Sequence, residues 1–264
     1  LGDVYKRQML ESLKVEAERN GYDITFINRN VGAKATTYLQ HCQYRGVDGV
    51  VIASVDFDDP QVLELVNSKL PVVTIDHVFN NRAAVVSDNV RGMEELVRYV
   101  YAKGHRRIAA LTADPDDSSI SQLRYSGYAR ALRELGIPPE EEDVICADDF
   151  TVESGCRAMR ERLKRPADFT AVFAIADDMA IGAMRALRES GRSIPEDCSV
   201  IAIDGISVSE YIHPMLTTLC QPMTAMGKAS VEILLDIIEG RGVHRHVTLP
   251  TALREGASVR QLKH

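Results

Sequence analysis

Short apolar runs alternate with longer stretches whose apolar residues recur every three or four positions. Runs such as Val72-Val73-Thr74-Ile75, Val144-Ile145-Cys146-Ala147 and Val200-Ile201-Ala202-Ile203 carry no polar alternation. That is the pattern of strands covered on both faces. The stretches between them read as amphipathic helices, several closed by a glycine. In order, the pattern predicts a helix under way by Met9, with Leu10, Leu13 and Ala17, ended by Gly21. A strand over Tyr22–Ile27 and a helix over Ala33–Tyr44 come after it. Next come a strand Val47–Ala53, a helix Pro60–Ser68, a strand Val72–Ile75 and a short extended Val85–Val86. Further on, helices are expected over Asp88–Tyr101, Ser121–Leu135, Thr151–Leu163, Asp178–Glu189 and Met223–Glu239. Strands are expected over Arg107–Leu111, Val144–Ala147, Ala171–Ala176 and Ser199–Asp204, with short ones at Val247–Leu249 and Ala252–Arg254.

Repeated strand–helix units imply an α/β fold with parallel sheets covered by helices. The strands are too many for one small sheet, so two Rossmann-like lobes are expected. Residues 1–8 do not continue the pattern and read as a foreign or disordered start. No apolar strand precedes the first helix, as though an opening strand were lost.

Composition narrows the class. The 264 residues are 45% hydrophobic and 26% charged, which suits a globular chain with a sizeable core. No apolar run approaches a membrane span, so no membrane partner is expected. The net charge of −7 makes this chain by itself a poor binder of nucleic-acid phosphates. Cys42, Cys146, Cys156, Cys198 and Cys220 are scattered, without a C-x-x-C pair. They read as reduced core residues of a cytoplasmic protein.

Enzyme signatures are missing: there is no G-x-S-x-G elbow and no P-loop. Gly240-Arg241-Gly242 follows a helix where a dinucleotide fingerprint would open one. His244 and His246 have a spacing that can chelate a metal, but no acid or cysteine is close by in sequence, so an exposed strand face is the better reading. No cofactor is expected. What remains is a set of polar residues at strand ends, where open α/β sheets bind ligands. Asp76, Asp177 and Asp204 each end a strand, Phe150 follows another, and Arg124 opens Arg-Tyr-Ser-Gly-Tyr near the start of a helix. Each acid alone could equally cap a helix. Together they suit a small polar ligand: carboxylates accept from hydroxyls, arginine offers a planar fork of donors, and an aromatic face stacks on a sugar or base.

Several segments, in order, carry a resemblance. They are Val-Asp-Gly-Val-Val-Ile (47–52), Pro-Val-Val-Thr-Ile-Asp (71–76), Ser-Asp-Asn-Val-Arg-Gly (87–92) and Gly-His-Arg-Arg-Ile-Ala (104–109). Then come Arg-Tyr-Ser-Gly-Tyr (124–128), Ala-Asp-Asp-Met-Ala-Ile-Gly-Ala (176–183), Ile-Pro-Glu-Asp-Cys-Ser-Val-Ile-Ala-Ile-Asp (194–204) and Leu-Thr-Thr-Leu-Cys-Gln-Pro (216–222). From about Met9 the chain resembles the effector-binding core of LacI/GalR-type transcription regulators, which share their fold with periplasmic sugar-binding proteins. The resemblance implies two lobes joined by a three-strand hinge. The N-terminal lobe would hold residues 9–87 and 221–248, and the C-terminal lobe 88–220 and 249–264. It implies that Arg124 grips the effector, Phe150 stacks on it and Asp204 accepts from its hydroxyls. Asp76 and Gln221 would line the cleft from the other lobe and the hinge. Asp177 stands where the family more often has Asn and would face the ligand, while Asp178 caps the helix. An ionised Asp only accepts, which favours a ligand presenting hydroxyls or an amine.

The implied partners are a small-molecule effector, expected to be a sugar, and a second copy of the chain in a homodimer. Operator DNA would be met only through a helix-turn-helix domain, for which no room is found before Met9. A repressor core is therefore the first reading. An extracytoplasmic sugar-binding protein of an import system is the second, and an enzyme on this fold is the third.

Overall fold

The protein is described by a computed structural model over residues 3–31, 34–113, 119–241 and 245–262. In chain order its elements are α1 (Asp3–Arg19), β1 (Asn30–Val31), β2 (Lys34–Ala35), α2 (Tyr38–Arg45), β3 (Val50–Ile52), α3 (Pro60–Val66), β4 (Val72–Ile75) and β5 (Ala83–Ser87). Then come α4 (Asn89–Ala102), β6 (Ile108–Ala113), α5 (Ser119–Glu134), β7 (Val144–Ala147), α6 (Val152–Arg162), β8 (Ala171–Ala174), α7 (Asp177–Glu189) and β9 (Ser199–Asp204). The chain closes with β10 (Thr217–Cys220), α8 (Met223–Ile238), β11 (His246–Leu249) and β12 (Ala252–Arg254).

Two compact units result. The smaller holds Lys6–Ser87 and Met223–Leu249; the larger holds Leu1–Tyr5, Asp88–Pro222 and Pro250–His264. The fold class is α/β, with a mainly parallel sheet in each unit.

In the smaller unit the sheet runs β11-β5-β4-β3, all parallel. Cys42, Ile52, Val62, Leu65, Val66 and Val72 form its core. Local chemistry sets the helix starts. Thr37 and Gln40 form a reciprocal capping box ahead of α2, and Asp59 accepts from the Gln61 amide with Pro60 in the first turn of α3. Both devices satisfy donors that a helix start leaves unpaired. The late helix α8 returns to this unit, where the Ser12 hydroxyl of α1 donates to the Thr224 carbonyl at 2.7 Å.

The larger unit carries the sheet β12-β10-β9-β8-β6-β7, antiparallel only at β10/β12. Its register sets one row across the sheet: Arg254, Thr218, Ala202, Ala174, Leu111 and Ile145. Strands β6, β8 and β9 are buried along their length, so their apolar runs lack alternation. Helices α6 and α7 pack backbone to backbone. A Cβ on Gly155 would lie 2.6 Å from the Met179 carbonyl oxygen, and one on Gly182 would overlap the Val152 carbonyl.

Three local expectations fail. Tyr22–Ile27 forms no strand, and Phe26 is 64% exposed. A strand needs a ladder neighbour, and β3, the end strand of this sheet among the described residues, pairs only with β4. The helix expected from Ala33 begins at Tyr38, because Lys34–Ala35 pairs with Asn30–Val31 and Thr37 caps α2. Residues 3–8 continue the pattern instead of standing apart from it, since the helix under way by Met9 begins at Asp3. Extending a formed helix is inexpensive.

Gly182→Ala is expected to destabilise the protein by about 1–3 kcal/mol through overpacking, read as a lowered midpoint in thermal or urea unfolding. An unchanged midpoint would contradict the helix contact described.

Candidate functional site

The site is built where the parallel strands of the larger unit run out. From the row through Ala202 and Thr218, two residues further along β9 lead to Asp204, and three further along the β10 path lead to Gln221. Cys220 pairs with Asp204 in register. The two segments are tied twice more: the Gln221 amide donates to the Asp204 carbonyl at 3.1 Å, and Gln221 Nε2 donates to Asp204 Oδ1 at 2.7 Å.

Arg124 comes from α5, the helix after β6, and is 1% exposed. Its fork is filled in three directions. Nη2 donates to Asp204 Oδ1 at 2.9 Å, Nε donates to Asn89 Oδ1 at 3.0 Å, and Nη1 donates to the Ile175 carbonyl just past β8. A buried arginine is tolerated because it is paired and hydrogen-bonded. Strand ends and helix starts meet at this one guanidinium.

Asp204 has φ of +146° and Asp76 has φ of +64°. Such conformations are sparsely populated by L-residues, store on the order of 1–3 kcal/mol, and gather at ligand sites. Gly205 continues the turn at φ +74°, with Cys220 so close that a Cβ there would collide.

Asp177 lies behind this surface. It is fully buried. Its Oδ2 accepts from the Ile206 amide at 2.9 Å, and its Oδ1 accepts from the Thr218 hydroxyl. Burial first, and the Asp204 charge second, push its carboxyl up to about 7. The residue at the helix N-cap is Ala176, with no side-chain cap bond. Asp178 is therefore not the cap but a residue of the first turn, where a negative charge favours the helix dipole.

Phe150 is half-buried against the core of the larger unit. The loop that presents it is internally bonded. The Asp148 and Asp149 amides donate to Ser154 Oγ, and Asp149 Oδ1 accepts from the Thr151 amide and hydroxyl. The Thr151 bonds hold the Asp149 carboxyl below its usual range. Asp76 follows β4 in the smaller unit, its amide donating to the Val85 carbonyl at 3.0 Å.

A family profile described as "Periplasmic binding protein-like domain" matches residues 97–259. The regulator CelR of Thermobifida fusca is 37% identical over 198 residues, 74% of this chain and 58% of CelR. A LacI family transcriptional regulator from Enterococcus faecium, solved with bound ribose, has a TM-score of 0.85 at 28% identity, covering 99% of this chain and 96% of that one. A CelR–cellobiose complex has a TM-score of 0.82 at 31% identity, covering 96% and 79%. The chain belongs to the LacI/GalR type of transcription regulators. It spans 58% of CelR's length.

In this LacI-type core, Arg124, Asp177, Asp204 and Gln221 come together in the larger unit. Phe150 packs against that unit's core, and Asp76 belongs to the smaller unit. Asp177 differs from its expected place. It touches chain segments behind the surface, because two donors that would otherwise be buried unpaired converge on it. Sequence reasoning missed Asn89, Thr218 and the Ile175 carbonyl. Each bonds a partner at least 35 positions away, which no local pattern signals. His246 bonds the Arg82 carbonyl through Nε2, whereas His244 lies outside the described residues. Among the described residues no cluster of His, Cys, Asp and Glu could hold a metal, and no helix is long and apolar enough to cross a membrane.

The raised Asp177 carboxyl links stability to pH. A folded-state value of about 7 against about 3.9 unfolded gives stabilisation that is complete below about pH 4 and lost as pH rises through about 7. The melting temperature should therefore fall between pH 5 and pH 8 by more in the native protein than in Asp177→Asn. Parallel profiles would contradict the assignment.

Proposed function

We propose that the chain is the effector-sensing and dimerisation core of a transcription regulator, and that its effector is a small hydroxylated molecule, a sugar. The observation that carries this reading is the buried Arg124–Asp204–Gln221 cluster at the strand ends, held on a strained backbone. Arg124 and Gln221 both bond Asp204 Oδ1, which orients the second carboxylate oxygen as an acceptor for ligand hydroxyls. Phe150 offers a flat face for a sugar ring. The ribose and cellobiose bound in the two similar structures support a sugar. The relatives are named as regulators, which favours a sensor over an import-system binding protein or an enzyme.

In the whole protein, coupling to operator DNA would run through a helix-turn-helix module, the feature named in CelR's description. Effector and operator would then be two linked sites, each changing the affinity for the other. A reducing, cytoplasmic setting agrees with five cysteines that form no disulfide. Homodimerisation is supported by apolar side chains left on the surface of the larger unit, where Tyr211 is 84% exposed and Val208 and Leu253 are exposed as well.

Calorimetry with D-ribose and cellobiose tests the ligand reading. Arg124→Lys keeps the charge but loses the planar fork, so sugar affinity should drop at least tenfold, about 1.4 kcal/mol or more, while the protein stays folded. Undiminished affinity would remove Arg124 from the site. For the dimer, Tyr211→Glu should shift the sedimentation of the native chain towards monomer, and an unchanged profile would place the interface elsewhere.

A further inference from the structure

Asp177 is engaged on both carboxylate oxygens, and its partners lie on the two segments that matter most for the ligand. The Ile206 amide belongs to the turn that directly follows Asp204. The Thr218 hydroxyl belongs to β10, three residues before Gln221. Arg254 of β12 reinforces the same turn, donating to the Ile206 carbonyl and to Ser209 Oγ. Asp177 itself opens α7, a helix locked to α6 by glycine contacts and therefore a fixed anchor.

We propose that Asp177 is a positioning residue that holds Asp204 and Gln221 in their ligand-binding places from behind, without touching the ligand itself. The proposal rests on the reading that these strand ends take the ligand. An ionised carboxylate can accept from both donors at once, whereas a protonated one gives up an acceptor site. The tie is therefore firmest when Asp177 is charged. Burial and the nearby Asp204 charge bring its titration close to neutral pH, so the grip on a neutral sugar should strengthen as pH rises. The charged and titratable groups around it are Asp204 on β9, Cys220 on β10, Glu210 on the turn Ser207–Glu210, Arg254 on β12 and, across Asp204, Arg124 on α5. Among these, Asp204 opposes the charge of Asp177 directly.

Two experiments on the full chain separate this proposal from the ligand reading. The first needs no ligand. In Asp177→Ala, and in Thr218→Val should the former fail to fold, amide hydrogen exchange over 204–206 and 219–221 should quicken at least tenfold. The amides of β6 and β8 should keep native rates. Unchanged exchange in the two segments overturns the proposal whether or not any sugar binds. The second measures D-ribose and cellobiose affinity from pH 6 to pH 8. The native protein should bind at least threefold tighter at pH 8, while Asp177→Asn shows no such rise. Asp177→Asn and Thr218→Val should each weaken binding about fivefold, and the double variant by no more than either alone, since both cut one tie. Multiplying losses, or a pH-independent defect confined to Asp177→Asn, would make Asp177 a direct contact and overturn the proposal. Failure of the native protein to bind either sugar would overturn the sugar reading alone, and the exchange result would still decide the role of Asp177.

Discussion

The larger unit depends on one buried ion pair. Arg124 and Asp204 lie 80 positions apart and meet at 2.9 Å with both side chains out of solvent. Removing two charges from water costs several kcal/mol per ion, and their attraction offsets this only when the remaining hydrogen-bonding capacity is filled. Asn89, the Ile175 carbonyl and Gln221 do the filling. Each comes from a different element, so satisfying one arginine fixes the ends of β8, β9 and β10 and the start of α4 together. Breaking one side of such a pair typically costs about 3–5 kcal/mol. That makes the cluster part of the fold as well as part of the site.

The strand–helix alternation was legible because each doubly covered strand shows an uninterrupted apolar run, as in Val172-Phe173 and Val200-Ile201. Strand ends could therefore be located, and with them Asp177 and Asp204. Their roles were less legible. What an acid does at a strand end depends on donors that arrive from elsewhere, and Thr218 and the Ile206 amide stand 41 and 29 positions from Asp177. Apolar alternation also misled at Tyr22–Ile27. A strand is a property of two neighbouring chain segments, and the sequence of one cannot supply the other. In the same way, the cap of α7 could not be assigned from an acidic pair, since backbone geometry alone makes Ala176 the boundary residue.

Strain and electrostatics converge on the same few residues. Asp204 combines a positive φ with a buried charge, and Gly205 after it passes Cys220 where any side chain would collide. Asp177 adds a second carboxylate whose proton is retained to unusually high pH. Arg124 pairs with Asp204, and the Asp204 charge in turn helps Asp177 keep its proton.

The glycine contact between α6 and α7 has a consequence for how the two helices can move. Phe150 stands just before the Thr151 cap of α6, and Asp177 opens α7. With Gly155 against the Met179 backbone and Gly182 against the Val152 backbone, neither helix can slide without the other. The loop that carries Phe150 and the first turn of α7 are thereby held at a constant spacing, and whatever displaces one helix carries the other with it.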